Sequence, residues 1–373
     1  MDITIQEVTG KKLMNAFLDF PYALYKNNPY NIPKLRFDEA ATLNPKKNPA
    51  FDFCEARYWL AYQDGKVVGR VAAIYNKKYV ARWKNNYLRF GWIDFIEDIN
   101  VAKALVSEVE NWAKALGCTA VHGPLGFTDL DYEGMLIEGF EERGTMATIY
   151  NYPYYPKFME QLGYGKAVDW VEYRINVPNE LPENILKIAN LVERRFKLHV
   201  VPMKSTKDLK PYAKEVFQLV NETYAELYGV VELSQRQIDY YVKMYFSMIR
   251  VEFITLIANE QNKLVGFGIS MPSLSNALQK ANGSLFPFGF IHLLTALKKN
   301  DEVDLLLIGI DKSLQGKGVN AIILREFNKN YVKAGIKFAE SNPELEENTK
   351  VQSTWQHFDA RQHKRRRCFI KQL

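Results

Sequence analysis

The sequence predicts an α/β (α+β) protein of two tandem mixed-sheet domains, each a central twisted sheet flanked by helices. Three observations carry that expectation. Residues 304–324, DLLLIGIDKSLQGKGVNAIIL, read as an apolar strand, a glycine loop and a helix. A strand–turn–strand hairpin occurs near residue 61 and again near residue 258. The helix and strand that follow the first hairpin return, in the same order, after the second.

The run Leu305–Ile308 is unbroken and apolar, which suits a strand covered on both faces. Gly316 and Gly318 flank Lys317, and an apolar helix begins near Ala321. The glycines let the backbone bend so that several N–H groups point one way. The helix N-terminus adds its own N–H groups and partial positive charge, so the stretch reads as an anion cradle. The P-loop pattern is absent. The looser dinucleotide fingerprint is met by Gly316, Gly318 and Ala321, but too little chain follows to build the further βα units that fold needs.

From the N-terminus, Ile3–Val8 alternates as a first strand and Lys11–Lys26 reads as a helix, followed by a Pro/Asn-rich loop. Tyr58–Tyr62 and Val67–Tyr75 form a hairpin around Asp64-Gly65, a strong turn signal between β-rich runs. Leu88–Ile96 reads as the next strand. Ile99–Leu116 is a helix with Val101, Leu105, Val109, Trp112 and Leu116 at helical spacing, ended by Gly117. Thr119–His122 is again a strand.

The second half repeats this order. Ala61, Lys66, Val68 and Gly69 match Ala258, Lys263, Val265 and Gly266 without a gap, and Tyr155 and Phe158 are echoed by Trp355 and Phe358. The boundary falls at Val177-Pro178-Asn179, giving domains 1–177 and 178–373. A helix at Asn184–Phe196 and a strand at Leu198–Met203 open the second copy.

The length of 373 residues exceeds what one core usually spans, which fits two domains. Three scattered cysteines, Cys54, Cys118 and Cys368, make neither a disulfide framework nor a metal spacing. The five histidines, His122, His199, His292, His357 and His363, sit at no ligand spacing, so no metal site is expected. The N-terminus lacks an apolar signal core and no apolar run is long enough to span a bilayer, so a cytoplasmic location is expected. The net charge of +6 suits an anionic ligand.

The strand, loop and helix at 304–324 resemble the acyl-CoA signature of the GNAT acyltransferase superfamily, Gln/Arg-x-x-Gly-x-Gly/Ala after a central strand. Gln315, Gly316, Lys317, Gly318 and Val319 fit the first five places, and Asn320 departs from the sixth. The element order in each half is similar to that family over nearly the whole chain. The resemblance implies an acyl-CoA-dependent N-acyltransferase, with acetyl-CoA or another acyl-CoA as co-substrate and a small-molecule amine as acceptor. It implies that backbone of Gly309 and Ile310 pairs with the pantetheine arm. It implies that N–H groups of Gln315, Gly316, Lys317, Gly318, Val319 and Asn320 hold the pyrophosphate, and that Asn348 contacts the cofactor. The first copy enters its helix without a glycine and carries Glu97 and Asp98 there, so it is expected to be degenerate for CoA binding.

Direct transfer needs a base to free the amine and an acid for the leaving thiolate. Glu340, at the end of the strand beside the central one, is the candidate base, with Asp304 second. The position of the family's usual tyrosine acid holds Trp355, which leaves His357 as the candidate acid. Two aromatic segments are candidate substrate surface: Thr148–Phe158 and Leu285–Leu297, the latter either a lid over an apolar substrate or a packing helix. The basic tail, with Arg361 and Lys364–Arg367, reads as a strand with some of its cations on a solvated face. Nucleic acid is not the expected partner, because no recognition motif accompanies the charge. The alternatives are a non-catalytic acyl-CoA-binding protein and an aminoacyl-tRNA-dependent transferase of the FemABX type.

Overall fold

The computed structural model describes residues 2–245 and 249–373. The chain divides into two compact units. Unit 1 comprises Met1–Val171, Ser275–Leu293 and Lys364–Leu373, and unit 2 comprises Glu172–Leu274 and Leu294–His363.

The first stretch of chain runs β1 (Ile3–Glu7), α1 (Gly10–Leu24), α2 (Arg36–Thr42), β2 (Cys54–Gln63), β3 (Lys66–Asn76), α3 (Lys77–Trp83), β4 (Tyr87–Phe95), α4 (Ile99–Ala115), β5 (Ala120–Gly123), β6 (Met135–Glu138) and α5 (Tyr154–Gln161). Strands β1 to β5 lie side by side in sequence order. All these pairs are antiparallel except β4–β5, where Tyr87, Leu88 and Arg89 face Ala120, Val121 and His122 in parallel. The sheet is covered on both faces, which is why β3 is buried almost without interruption. On one face Val101, Leu105 and Val109 of α4 meet Val71 and Ala73. On the other, Phe17 and Leu18 of α1 meet Leu60 and Ile74. Fully burying one such side chain contributes roughly 1.5–3 kcal/mol.

The chain continues through β7 (Gly165–Asn176), α6 (Glu183–Phe196), β8 (His199–Val200), α7 (Thr206–Leu209), α8 (Ala213–Thr223), α9 (Gln235–Tyr245), β9 (Ile254–Ala258), β10 (Leu264–Pro272), α10 (Ser275–Ala281), α11 (Gly289–Lys298), β11 (Glu302–Ile310), α12 (Asn320–Ala334), β12 (Phe338–Ser341), β13 (Glu344–Leu345), α13 (Thr349–Trp355) and β14 (Ala360–Gln372). In unit 2 the order is β8-β9-β10-β11-β12, and Arg174–Asn176 of β7 pair with β12. Only β11–β12 is parallel among these registers. Ile322, Ile323 and Phe327 of α12 pack with Ile185 and Val192 of α6 over Val265 and Val303. Val216, Leu219 and Val220 of α8 cover the other face. Both units make the same bond just past the central strand: Ile96 N–H to Val68 C=O at 3.0 Å, and Asp311 N–H to Val265 C=O at 2.8 Å.

Three segments differ from the sequence reading. The loop after the first helix ends in a short helix, α2, which buries Glu39. Helix α10, inserted after β10, belongs to unit 1, where Gln279 donates to the carbonyls of Pro29 and Asn31 and Ser275 to that of Gly144. In β14, Lys364 and Arg366 are buried rather than solvated, because the carbonyls of Arg143 and Ile149 accept from them. Arg367 pairs with Asp169 at 2.8 Å, and of the tail's basic residues only Arg361 is exposed.

Candidate active site

The central strand of unit 2, β11, is held unequally on its two edges. Strand β10 pairs along it as far as Ile310, opposite Gly266. Strand β12 pairs only from Glu302 to Leu305, opposite Ser341. Asn342 closes that short pairing, its N–H on the Leu305 carbonyl at 3.0 Å and its side-chain nitrogen on that of Leu306 at 3.2 Å. Pro343 follows and has no N–H to continue the ladder. Beyond this point no described strand pairs with that edge. Ile308 N–H donates to the Tyr224 hydroxyl at 3.2 Å, and the same hydroxyl donates to Ile308 C=O at 3.1 Å. The Ile310 carbonyl accepts from the Gln315 side chain at 3.0 Å. On its far half, the main-chain groups of Ile308 and the Ile310 carbonyl are thus met by the side chains of Tyr224 and Gln315 rather than by a neighbouring strand.

The edge leads directly into the loop. Asp311 caps a single turn, Lys312–Leu314, by accepting from Ser313 N–H. Gly316 and Gly318 then take φ of +71° and +86°, the left-handed region that favours glycine. A Cβ on Gly318 would lie 2.8 Å from Ile188 of α6, so the chain also passes too close there for a side chain. Val319, fully buried, anchors the start of α12. Among the described residues, no backbone carbonyl accepts from the N–H of Gly316, Gly318 or Val319. Free N–H groups at the mouth of a helix suit an anion. Lys317 is exposed and its ammonium lies 5.5 Å from the Phe196 ring. The Asn320 side chain reaches Thr354 of α13 at 3.5 Å.

Gly309, Ile310 and Gln315–Asn320 are therefore contiguous in space as well as sequence. Asn348 stands at the N-cap of α13 but makes no side-chain cap bond. His357 is exposed just beyond α13. Glu340 lies further back. It is buried on β12 in register with Asp304, before the strands part, with Arg174 at 3.9 Å and His363 Nε2 at 3.4 Å. Glu172, Glu340 and His363 bring ligand atoms within 4.8 Å of one another, a cluster that wide sequence separation hides.

The sequence reading missed Glu344. It follows Pro343 on β13, where β12 has left β11, and is half-buried. Burial pushes its carboxyl up to about 7, against hydrogen bonds from Trp355 and Ser341. Trp355 Nε1 lies 3.0 and 3.2 Å from the two carboxylate oxygens. A carboxylate directly after the proline that follows a strand was the available signal.

The corresponding place in unit 1 is likewise met by tyrosine hydroxyls, there by two residues, of which Tyr155 is fully buried. Phe95 N–H donates to the Tyr155 hydroxyl at 2.8 Å, and the Tyr154 hydroxyl donates to Phe95 C=O at 2.7 Å. Asp98 caps α4 by accepting from Asn100 N–H at 2.8 Å. Behind these tyrosines is a cavity of about 70 Å³ whose lining includes Tyr25, Lys34, Glu39, Arg70, Trp92 and Asp94. Tyr25 and Arg70 both bond Asp94, at 2.7 and 2.8 Å. Burial raises the Glu39 carboxyl, held by Trp92 Nε1 at 2.7 Å, and lowers the Lys34 ammonium.

No family model matches the chain. It is 26% identical over 378 residues to Protein YghO of Escherichia coli, covering 99% of this chain and 95% of that protein. It is 25% identical over 326 residues to the Bacterial ceramide synthase of Caulobacter vibrioides, covering 84% of this chain and 82% of that one. The tandem GNAT protein from the clavulanic acid biosynthesis pathway superposes with a TM-score of 0.56 at 12% identity, covering 100% of this chain and 98% of that structure. The chain has the tandem GNAT fold. None of its described helices is long and apolar enough to cross a membrane.

Proposed function

We propose that unit 2 transfers an acyl group from acyl-CoA to an amine by direct attack, and that unit 1 holds no CoA. The observation that carries this reading is the edge of β11 beyond Leu305, which no described strand pairs and which runs straight into the glycine loop. A pantetheine arm adds to such an edge as an extra strand would, along Ile308 to Ile310. Tyr224 now makes those bonds at Ile308 and gives way to it. The N–H groups of Gly316, Gly318 and Val319, with Gln315, Lys317 and Asn320 around them, receive the pyrophosphate. A β11 N–H stabilises the charge that develops on the thioester oxygen.

The amine nitrogen attacks the carbonyl carbon, the C–S bond breaks and its electron pair leaves on sulfur. Glu344 is the base that takes the amine's proton, because its raised value is matched to neutral pH and it sits where the strands part. Glu340 is less suited, since it is engaged with Arg174 and His363 before the strands diverge. His357 is the candidate for returning a proton to the thiolate, and Asn348 for a contact to the cofactor. The similarity to a named ceramide synthase favours a long-chain amine as acceptor.

The test is titration with acetyl-CoA and with a long-chain acyl-CoA, followed by assay of amide formation on a long-chain amino alcohol. Saturable binding with amide product supports the reading. Absence of binding to either thioester removes it.

A further inference from the structure

We propose that the segment around α11 is a docking element for an anionic lipid surface. Five large apolar side chains are exposed within nine residues: Phe286 at 77%, Phe288 at 67%, Phe290 at 38%, Ile291 at 46% and Leu294 at 53%. Of α11 itself only Gly289 and Leu293 are buried. Phe290, Ile291 and Leu294 share one face of that helix, and the two loop phenylalanines precede it.

The presenting backbone is held in place. Phe290 N–H donates to Leu285 C=O at 2.8 Å, Ile291 N–H to Phe288 C=O at 3.1 Å, and the Ser284 hydroxyl to Phe286 C=O at 2.8 Å. The rings of Phe286 and Phe290 lie 5.9 Å apart, both turned outward. So many large apolar groups on an ordered, exposed turn mark an interaction site rather than scattered surface.

Charge selects the occupant. From Gln261 to Asn300 the sequence has no Asp or Glu, yet it carries Lys263, Lys280, Lys298 and Lys299. Lys280, Lys298 and Lys299 are exposed on or beside the two inserted helices. Aromatic and aliphatic side chains on one face with lysines at the margin are the composition of a helix that lies in the headgroup region. A second copy of the chain fits less well, because it would bring lysines against lysines. This inference does not depend on which unit binds acyl-CoA.

Flotation of the full chain with vesicles tests it. The wild-type protein floats with phosphatidylcholine vesicles containing phosphatidylglycerol and far less with phosphatidylcholine alone. F286S/F288S weakens partition by roughly tenfold per ring removed. K298A/K299A weakens it by about fivefold per lysine, on the anionic vesicles only. All four residues are exposed, so folding is preserved, and circular dichroism checks that. A wild-type protein that stays in the aqueous fraction overturns the proposal, as does unchanged flotation of F286S/F288S. A dimer that F286S/F288S converts to monomer without any vesicle binding assigns the patch to a second copy instead.

Discussion

Trp355 Nε1 donates to the Glu344 carboxylate at 3.0 Å, and this bond, with one from Ser341, opposes the burial that drives the carboxyl upward. Indole is a donor only, so it stabilises the ionised acid and not the protonated one. W355F removes that support and raises the Glu344 value further. A base works when deprotonated, so the rise of kcat/KM with pH, centred near 7 in the wild type, moves to higher pH in W355F. E344Q lowers kcat by about 10²–10⁴-fold at unchanged acyl-CoA affinity. Rate profiles over pH check both.

Gly318 is the position where a side chain is least tolerable in the cradle. G318L meets Ile188 and also forces a left-handed backbone, which costs roughly 1–2 kcal/mol. Acyl-CoA affinity falls sharply. G316A has open space around its Cβ and bears only the backbone cost, so it loses stability without the same loss of affinity. Calorimetric titration beside thermal melts separates the two.

Tyr155 closes the unit 1 strand edge from within. Y155F leaves the buried Phe95 N–H without its acceptor, at about 1–3 kcal/mol. If unit 1 holds no CoA, urea denaturation registers the loss while acyl-CoA titration does not.

The Glu39–Lys34 pair makes stability pH-dependent. Glu39, raised to about 7, binds a proton on folding. Its stabilising contribution is complete below the ordinary carboxylate value and is lost as pH rises through 7. E39Q keeps the neutral form at every pH, so its Tm relative to wild type increases between about pH 5 and about pH 8. Loss of the Glu39 charge lowers the Lys34 value further, which acts in the same direction. Melting curves across that range check the sign.

The parts legible in the sequence were those written in consecutive residues. The apolar run of β11, the positive-φ glycines and the Asp64-Gly65 hairpin are local chemistry, and the strands and loop formed where that chemistry pointed. Glu344 was not legible, because its environment arises where β12 leaves β11, and Trp355 reaches it from a later helix. The same holds for Tyr154 and Tyr155, whose hydroxyls fill a strand edge supplied by Phe95. The tail forms the expected strand with Arg361 exposed, but alternation did not say which cations turn inward: Lys364 and Arg366 find buried carbonyls that no pattern of charge announces. The insert around α11 was expected to cover a substrate or to pack, yet most of its large side chains face solvent.

One titration bears most directly on the central claim. The wild-type chain, G318L and Y155F are each titrated calorimetrically with a long-chain acyl-CoA. A single saturable site, abolished in G318L and intact in Y155F, is the result expected if the cradle of unit 2 binds the cofactor alone. Undiminished binding in G318L, or two equivalent sites in the wild type, would contradict it.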